Sequence, residues 1–321
     1  MRAIVIEEFG GPEVLRPQEI DDPTPGPGQV LLDVAARGVN FIDVYQRSGV
    51  YKVDLPFVPG MEASGTIAAV GEGVTDLKVG QRVGWAMASG GYADRATVDA
   101  GLAVPVPDGV SDEQAAALLL QGMTAHYLTC SVHPVAEGQT ILVHAAAGGT
   151  GLLITQLAKA RGARVIGTVS TEEKEAVARA AGADEIIRYT KTPVAEAVRD
   201  LTGGEGVSAV YDGVGKDTFD ASLASLRPRG VLALFGQSSG LVEPVDPQRL
   251  NSAGSVYLSR PSLAHFVTDR EELLGRARDL FELVEQGRLD VRVGGRYPLE
   301  EAGRAHEDLT SRTTTGKLLL V

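Results

Sequence analysis

Cysteine is almost missing from this sequence, which has only Cys130 among its 321 residues. One thiol cannot form an intramolecular disulfide, and it cannot build a zinc site that needs several cysteines. Clusters of basic residues are missing too, and 30 Lys and Arg against 42 Asp and Glu give a net charge of −12. Because phosphate contacts need clustered positive charge, nucleic acid and anionic membranes are disfavoured as partners.

Long apolar runs are also absent. No segment approaches the roughly 20 apolar residues of a membrane span, and no charged leader followed by an apolar stretch comes after Met1. We therefore expect a cytoplasmic protein with no membrane partner. Glycine, in contrast, is abundant, with 39 residues against an average of roughly 7 %. Much of this excess falls in turns of the first hundred residues and in loops at 148–151, 213–215 and 236–240.

The first hundred residues predict short strands separated by turns. The strands are expected over 3–7, 29–39, 63–70 and 82–86, and the glycine-containing stretch between the last two suits a hairpin. A segment rich in Pro and Gly at 21–28 separates the first two strands. This pattern predicts an all-β domain built as a small barrel.

The pattern changes at Ser111, which has the spacing of a capping box with Gln114 and predicts a helix start. From Thr140, apolar strands alternate with helical segments as far as Gly236. Such alternation predicts an α/β domain in which a parallel sheet has helices on both faces.

The last part of the chain combines both patterns. A strand is predicted at 254–259, and the residues T-D-R-E at 268–271 open an amphipathic helix that ends at Gly287. The remaining segment has strand-like ends around a short helix, so we expect it to rejoin the β domain. The β domain is predicted over 1–122 and 263–321, and the α/β domain over 123–262.

A glycine loop between a strand and a helix is the most informative segment. A dinucleotide site needs a tight turn, a bare backbone near the pyrophosphate and a close approach of helix and strand. Gly148, Gly149 and Gly151 can supply these features, and Thr150 lies among them. Because this loop stands in a series of alternating strands and helices, we predict that these four residues bind a dinucleotide.

The tip of the next strand predicts which dinucleotide binds. A site for NADH would carry Asp or Glu there to bind the ribose hydroxyls, but the strand ends in Ser170 and Lys174 follows. A hydroxyl and a cation suit a 2′-phosphate, and Tyr189 after the third strand is expected near the same place. The sequence therefore predicts NADPH as the cofactor.

Five segments together resemble the quinone oxidoreductases, the zinc-free branch of the medium-chain dehydrogenase/reductase superfamily that includes the zeta-crystallins. They are GGPEVL at 10–15, GVNFIDVYQRSGVY at 38–51, HAAAGGTG at 144–151, FGQSSG at 235–240 and SRPSL at 259–263. The resemblance covers essentially the whole chain. It implies a Rossmann doubly wound parallel sheet inserted in a GroES-like β-barrel catalytic domain, an active site in the cleft, and a homodimer.

The resemblance also predicts that no metal is bound. Zinc-containing members carry a catalytic Cys after the second long strand and a His in a G-H-E segment, whereas the matching places here hold Asn40 and Met61. Neither residue replaces a thiolate or an imidazole as a zinc ligand. Without a Lewis acid, the acceptor must be one that easily takes an electron pair, and quinones and enones meet this condition.

By the same resemblance, the segment after the strand that ends at 39 lines the nicotinamide and acceptor site. Asn40, Asp43, Tyr45 and Tyr51 are the predicted catalytic residues, and Asn40 and Tyr45 are also predicted to contact the cofactor. A tyrosine or a water is expected to supply the proton, and Asp43 is expected to orient rather than to donate. Further cofactor contacts carried over from the family are Tyr127, Gly213, Phe235, Gly236, Ser238, Ser259, Arg260 and Arg312.

These features predict an NADPH-dependent quinone oxidoreductase that needs no metal. One alternative is a reductase of α,β-unsaturated carbonyls or enoyl thioesters on the same scaffold. Another is an NADPH-binding regulatory or RNA-binding protein without turnover, although the net charge of −12 speaks against RNA.

Overall fold

The computed structural model describes residues 1–321, which fold into two compact units. Unit 1 comprises Met1–Met123 and Phe266–Val321, and unit 2 comprises Thr124–His265. Unit 2 is thus an insertion in the sequence of unit 1. The predicted domain limits, after residues 122 and 262, lie close to these bounds.

Fifteen strands occur along the chain. They are β1 Arg2–Val5, β2 Arg16–Glu19, β3 Gln29–Val39, β4 Glu62–Val70, β5 Arg82–Ala86, β6 Arg95–Asp99, β7 Val104–Pro105, β8 Thr140–Val143, β9 Arg164–Val169, β10 Glu185–Arg188, β11 Val207–Asp212, β12 Leu226–Leu234, β13 Tyr257–Ser259, β14 Val293–Tyr297 and β15 Lys317–Leu320.

Nine α-helices accompany these strands. They are α1 Phe41–Arg47, α2 Asp112–Tyr127, α3 Gly149–Ala160, α4 Glu172–Ala180, α5 Val194–Leu201, α6 Phe219–Ser225, α7 Pro247–Ser252, α8 Arg270–Glu285 and α9 Ala302–Thr310. Short 3₁₀ turns lie at Pro12–Val14, Leu263–His265 and Leu299–Glu301, and a π-helical turn, Leu128–Val132, follows α2. None of the helices is long and apolar enough to cross a membrane.

Unit 1 is built on a bent, mainly antiparallel sheet whose strand order is β14-β15-β3-β4-β5-β7. Strand β3 also pairs with β6, and its pairing with β4 is interrupted by two register shifts. Because side chains alternate along each strand, the inward residues of β3 to β6 share one core. The core includes Val30, Leu32, Ala63, Ile67, Val83, Trp85, Ala96 and Val98.

The C-terminal segment joins this sheet, as the sequence predicted. Strand β15 pairs antiparallel with β3, where Leu319 lies opposite Gly38. A second core then combines the two ends of the chain, with Ile4 and Ile6 packed among Leu318 and Leu320. The start of unit 1 is therefore stabilised by its last residues.

Three predicted strands have bounds that are wrong by small amounts. The strand predicted at 63–70 begins at Glu62, and the strand predicted at 254–259 begins at Tyr257. The first strand is Arg2–Val5, because the following residues up to Glu7 leave the ladder. The helix predicted to open at 268–271 is α8. Asp269 is its N-cap, with a side chain that accepts from the amide of Glu272.

Unit 2 is a parallel sheet of order β10-β9-β8-β11-β12-β13. The chain moves outward from β8 in one direction and then returns to start again at β11. This reversal is the switch point at which dinucleotides bind in doubly wound folds. The predicted Rossmann fold is therefore confirmed, and its binding edge lies at the carboxyl ends of β8 and β11.

Candidate functional site

The glycine loop in unit 2 follows β8 and leads into α3. Gly148 is the N-cap of α3, which begins at Gly149, so the predicted strand, loop and helix are all present. A Cβ at residue 151 would lie 2.4 Å from the carbonyl oxygen of Ala145, and glycine is therefore required there. The first N–H groups of a helix have no acceptor within the helix, so this turn presents donors and a positive dipole to an anion.

Two further predicted segments meet beside this loop, after β11 and after β12. A Cβ on Gly213 would lie 2.8 Å from the ring of Phe235, and one on Gly236 would lie 2.5 Å from the carbonyl oxygen of Gly213. The amide of Ser238 donates to that same oxygen at 3.2 Å. The structure thus brings these four predicted residues together, with their backbones in close contact.

Four buried side chains tie these loops to the sheet, and we call them the Asp212 chain: Asp212, Ser222, His144 and Thr168. Ser222 Oγ donates to Asp212 Oδ2 at 2.7 Å and lies 2.9 Å from His144 Nε2, while Thr168 Oγ1 lies 3.1 Å from His144 Nδ1. Because the only hydrogen of Ser222 goes to the carboxylate, His144 must donate through Nε2 and accept at Nδ1. Burial lowers the pKa of His144, which favours this neutral imidazole.

The carboxylate at the end of this chain holds a backbone turn. Asp212 Oδ1 accepts from the amides of Val214 and Gly215 at 2.8 and 3.0 Å, and Thr218 Oγ1 donates to the same carboxylate. The Asp212 chain therefore connects the end of β8 with the turn after β11. The sequence alone does not indicate the partners of His144 in the Asp212 chain, because they lie 24 and 78 residues away.

The tip of β9 carries the residues predicted to select NADPH. Ser170 is half-buried, and the amide of Tyr189 donates to the carbonyl oxygen of Val169 at 3.2 Å, so Ser170 and Tyr189 are brought together. The ring of Tyr189 is 45 % exposed. Lys174 lies in the first turn of α4, which Thr171 caps.

The other predicted cofactor residues are spread over both units. Ser259 ends β13, and Arg260 donates to Gln237 Oε1 at 3.4 Å, so it lies at the loop after β12. Tyr127 is the last residue of α2 and is buried. Arg312 lies after α9 in unit 1, in a left-handed conformation with φ of 58°.

An aromatic row follows the start of α1 in unit 1. The ring centroids of Phe41 and Tyr45 are 6.1 Å apart, and those of Tyr45 and Tyr51 are 5.3 Å apart. Tyr51 is 37 % exposed, and its amide donates to the carbonyl oxygen of Tyr45. These rings form an apolar surface that also carries phenolic hydroxyls, which suits a flat conjugated ligand.

Asn40 is not placed as the sequence predicted. The side chain is 3 % exposed, and its amide group makes four hydrogen bonds inside unit 1. Oδ1 accepts from Lys317 Nζ at 2.7 Å and from Gln121 Nε2 at 3.3 Å, while Nδ2 donates to Glu62 Oε2 and to the carbonyl oxygen of Gly38. The amide has no further capacity for a ligand, so we correct its role from contact to support.

The support for Asn40 is an ion pair between β4 and β15. Lys317 Nζ donates to Glu62 Oε2, and both side chains are fully buried. Glu62 Oε1 accepts from the amide of Leu120 in α2 at 2.6 Å. Sequence reasoning missed this pair, because nothing in the local sequence relates residue 62 to residue 317.

Asp43 is also enclosed within unit 1. Its carboxylate accepts from the amide of Asn40 at 2.9 Å, from the amide of Met61 at 3.1 Å and from Tyr92 Oη at 3.1 Å. Burial raises the pKa of Asp43 to about 6, although these hydrogen bonds and Lys317 act in the opposite direction. These three donors occupy the carboxylate, which thereby holds the backbone amides of Asn40 and Met61 in place.

Three more side chains continue from this carboxylate, and we call the set the Asp43 chain: Asp43, Tyr92, His306 and Arg47. Tyr92 Oη lies 3.0 Å from His306 Nε2, and Arg47 Nη1 lies 3.4 Å from His306 Nδ1. Since Tyr92 donates to Asp43, His306 donates through Nε2 and accepts at Nδ1. Burial, followed by the charge of Arg47, lowers the pKa of His306 to about 3, so the imidazole is neutral.

Comparison with known proteins covers both units. Two family models match, the alcohol dehydrogenase GroES-like domain over residues 26–108 and the zinc-binding dehydrogenase over residues 149–274. The chain is 44 % identical over 322 residues to a quinone oxidoreductase of Salmonella typhimurium, covering 99 % of this chain and 98 % of the relative. It is 41 % identical over 327 residues to a 2-haloacrylate reductase of Burkholderia, with coverage of 99 % and 98 %.

Among solved structures, a mycobacterial protein in complex with NADPH is similar along its whole length. The identity is 54 %, the TM-score is 0.97, and the match covers 100 % of both chains.

Proposed function

This chain belongs to the quinone oxidoreductase branch of the medium-chain dehydrogenase/reductase superfamily, and we propose from this membership that it is an NADPH-dependent quinone oxidoreductase. The substrate is a quinone or a similar conjugated acceptor. Unit 2 binds the cofactor and unit 1 supplies the catalytic part. The observation that carries the proposal is the site at the switch point, where a glycine loop and a strand tip without a carboxylate suit NADPH.

The residues of unit 2 fit this cofactor. The first turn of α3 receives the pyrophosphate, because the helix presents its free N–H groups there. Gly151 lets this turn pack closely on the carbonyl oxygen of Ala145. Ser170, Lys174 and Tyr189 receive the 2′-phosphate at the tip of β9. NADPH supplies the hydride when it is bound.

In unit 1, the aromatic row of Phe41, Tyr45 and Tyr51 receives the acceptor. A conjugated acceptor spreads the incoming negative charge over its own π-system, so the protein needs only to position it and to donate hydrogen bonds to its oxygen. Tyr45 and Tyr51 are the phenolic donors of this surface. Asp43 acts as a positioning residue, through its hydrogen bonds to the backbone amides of Asn40 and Met61.

We propose that the reaction uses no zinc. Asn40 and Met61 take the places where zinc-containing members carry their ligands. Asn40 Oδ1 already accepts from the ammonium group of Lys317, and Met61 Sδ accepts from Gln46 Nε2 at 3.4 Å. A second cation at this oxygen would be repelled by the first, so these residues do not fit a zinc ion. Stoichiometric zinc in active protein would contradict the proposal.

Steady-state oxidation of NADPH tests the function. We expect turnover with 1,4-naphthoquinone to exceed turnover with a crotonyl thioester. The 2-haloacrylate reductase among the relatives supports the alternative, a reductase of α,β-unsaturated carbonyls, so a 2-haloacrylate belongs in the same assay. Faster turnover of either enone than of the quinone would replace our proposal with this alternative. Binding of NADPH without oxidation by any acceptor would favour a regulatory or RNA-binding protein.

The variant Lys174→Glu tests the cofactor preference. We expect it to weaken NADPH binding about tenfold, since loss of one charge contact to the phosphate corresponds to roughly 1.4 kcal/mol. NADH binding should change little, because NADH lacks that phosphate. Titration of the cofactor by fluorescence measures both affinities, and Lys78→Glu, an exposed lysine of unit 1, serves as the control. Equal losses for both cofactors in Lys174→Glu would contradict the role.

We also propose a homodimer in the cytoplasm. Strand β13 is the outer strand of the sheet in unit 2, and Tyr257 on it is 62 % exposed. An exposed edge strand is able to pair with a second copy. The unpaired thiol of Cys130 suits a reducing compartment. Sedimentation that shows only monomer would contradict the dimer, and cell fractionation would test the location.

A further inference from the structure

The Asp43 chain connects distant parts of unit 1 to the place where α1 begins. Asp43 and Arg47 belong to α1, Tyr92 precedes β6, and His306 belongs to α9. All four side chains are buried. Asp43 alone contacts the backbone, through the amides of Asn40 before α1 and Met61 before β4.

These two amides fix the aromatic row. Asn40 is the residue from which α1 starts, and α1 carries Tyr45, against which Tyr51 packs. Met61 follows Gly60, which has a φ of 97°, and leads into β4. A carboxylate that holds both amides therefore sets the position of α1 relative to β4, and with it the position of the phenolic groups.

The hydrogens of the chain all point in one direction, toward Asp43. Arg47 donates to His306, His306 donates to Tyr92, and Tyr92 donates to Asp43, which itself accepts two amides. The donors of Tyr92 and His306 are both used within the series. Arg47 keeps a buried Nε–H that has no hydrogen-bond partner, and it stands at the end of the series farthest from Asp43. The Asp43 chain therefore holds two backbone amides in place and does not deliver a proton to a substrate.

We propose that Tyr92 and His306 are positioning residues for the reaction, acting through Asp43 on the backbone amides of Asn40 and Met61. Tyr92 supplies the side-chain donor that stabilises the ionised carboxylate, and His306 keeps Tyr92 turned toward it. The inference rests on the proposed function, because the aromatic row is taken as the acceptor surface.

Acid disrupts this arrangement for a geometric reason. If Asp43 gains a proton, that proton finds no acceptor, since Tyr92 and both amides already donate to the carboxylate. The charged groups that act on Asp43 and Tyr92 are Lys317 from β15, Glu62 from β4 and Arg47 from α1. Glu13 and Glu307 act in turn on Arg47. His306 is neutral near pH 6. We therefore assign the loss of this arrangement near pH 6 to protonation of Asp43.

The variant Tyr92→Phe tests the inference. We expect the acid limb of the pH profile of kcat/KM to lie near pH 6 in the wild type and to move up by about one pH unit in the variant, because a hydrogen bond to the ionised form is lost. At pH 7 we expect a several-fold lower kcat and an NADPH affinity within about twofold of the wild type. His306→Gln, which keeps an N–H for Tyr92, should hold the limb in place, whereas His306→Leu should move it.

The matched control is Tyr297→Phe. Tyr297 Oη also donates to a carboxylate of unit 1, Asp308 Oδ2 at 2.7 Å, and this hydrogen bond involves no member of the Asp43 chain. The control variant loses the same kind of hydrogen bond and should leave the acid limb unchanged. An equal shift in Tyr297→Phe, or no shift in Tyr92→Phe, would overturn the inference.

A readout without turnover separates this inference from the proposed function. The carboxyl carbon of Asp43 and the amide signals of Asn40 and Met61, followed by NMR, should titrate together near pH 6 in the wild type. In Tyr92→Phe all three should titrate at higher pH. If the wild type reduces no acceptor, the proposed function fails and this titration still decides the inference. Amide signals that do not follow the carboxyl titration would overturn it.

Discussion

Each unit holds a buried chain of the same chemical order, in which a carboxylate, a hydroxyl, an imidazole and a further donor follow one another. In both the Asp212 chain and the Asp43 chain, the hydrogens point toward the carboxylate, and the carboxylate holds two backbone amides. The held amides belong to the turn after β11 in unit 2 and to the starts of α1 and β4 in unit 1. The two units, which have different folds, thus hold backbone amides in the same way.

The two chains differ in how their carboxylates are satisfied. Asp212 accepts from two amides and from the hydroxyls of Thr218 and Ser222. Asp43 accepts from two amides and one hydroxyl, and its chain ends on the guanidinium group of Arg47. One hydroxyl fewer therefore donates to the carboxylate of Asp43 than to that of Asp212.

Unit 1 also contains an ionic contact that has no counterpart around Asp212. The side chain of Asn40 is held by the Glu62 and Lys317 pair, while its backbone is held by Asp43. In unit 2, hydroxyl groups and backbone amides hold the carboxylate of Asp212. Unit 1 therefore adds a buried lysine and glutamate pair beside its chain, whereas these donors to Asp212 include no cation.

The variant Lys317→Met tests the role of buried charge in unit 1 and should cause the largest loss of stability. It leaves the buried carboxylate of Glu62 without its cation, and loss of one partner of a buried pair costs about 3–5 kcal/mol. Urea unfolding at pH 7 measures this loss. The double variant Lys317→Met with Glu62→Gln removes both charges and should recover much of the stability. A loss below about 1 kcal/mol in the single variant would show that unit 1 does not depend on this charge.

The variant Ser222→Ala tests the Asp212 chain of unit 2. It leaves the Nε2–H of His144 without an acceptor and removes one donor from Asp212, so we expect a loss of about 1–3 kcal/mol. Ser225→Ala is the matched control in the same helix, because Ser225 Oγ donates only to the carbonyl oxygen of Ala221. Urea unfolding should show a smaller loss for the control. Equal losses would mean that the Asp212 chain adds nothing beyond an ordinary buried hydroxyl.

Local features of both units were predictable from the sequence. Strands β3 and β5 have the predicted bounds, and Ser111 and Gln114 form the predicted capping box, with each side chain accepting from the other residue's amide. The order of strands and helices in unit 2 followed from the alternating pattern. These features depend on residues close together in the chain, so their patterns are readable without the fold.

The two buried chains were not predictable in the same way. Asp43 in α1, Tyr92 before β6 and His306 in α9 come together only in the folded chain, and nothing in their spacing indicates contact. The direction of the Asn40 side chain was also hidden, since residue type does not reveal whether an amide faces a ligand or a buried lysine. Sequence reasoning therefore located the segments of the site but not the side chains that hold them.

Two buried groups of unit 1, His306 and Asp43, change the stability in opposite directions as pH falls. The pKa of His306 is about 3 in the folded protein against 6.5 ordinarily, so the unfolded chain binds a proton first and stability is lost as pH falls below about 6.5. The pKa of Asp43 is about 6 against 3.8 ordinarily, so the folded chain binds a proton first and stability is gained as pH falls through 6. Between pH 7 and pH 5 these effects are about −2 and +1 kcal/mol, so the gain from Asp43 offsets only part of the loss from His306.

The variant His306→Gln removes the first effect and leaves the second. Acidification from pH 7 to pH 5 should therefore cost the variant about 2 kcal/mol less than it costs the wild type. Urea unfolding at the two pH values measures the difference, and His265→Gln, an exposed histidine, should behave like the wild type. If His306→Gln loses as much stability on acidification as the wild type does, the imidazole of the Asp43 chain is already charged at pH 5. Its Nδ1 could then not accept from Arg47, and the parallel with the Asp212 chain would fail.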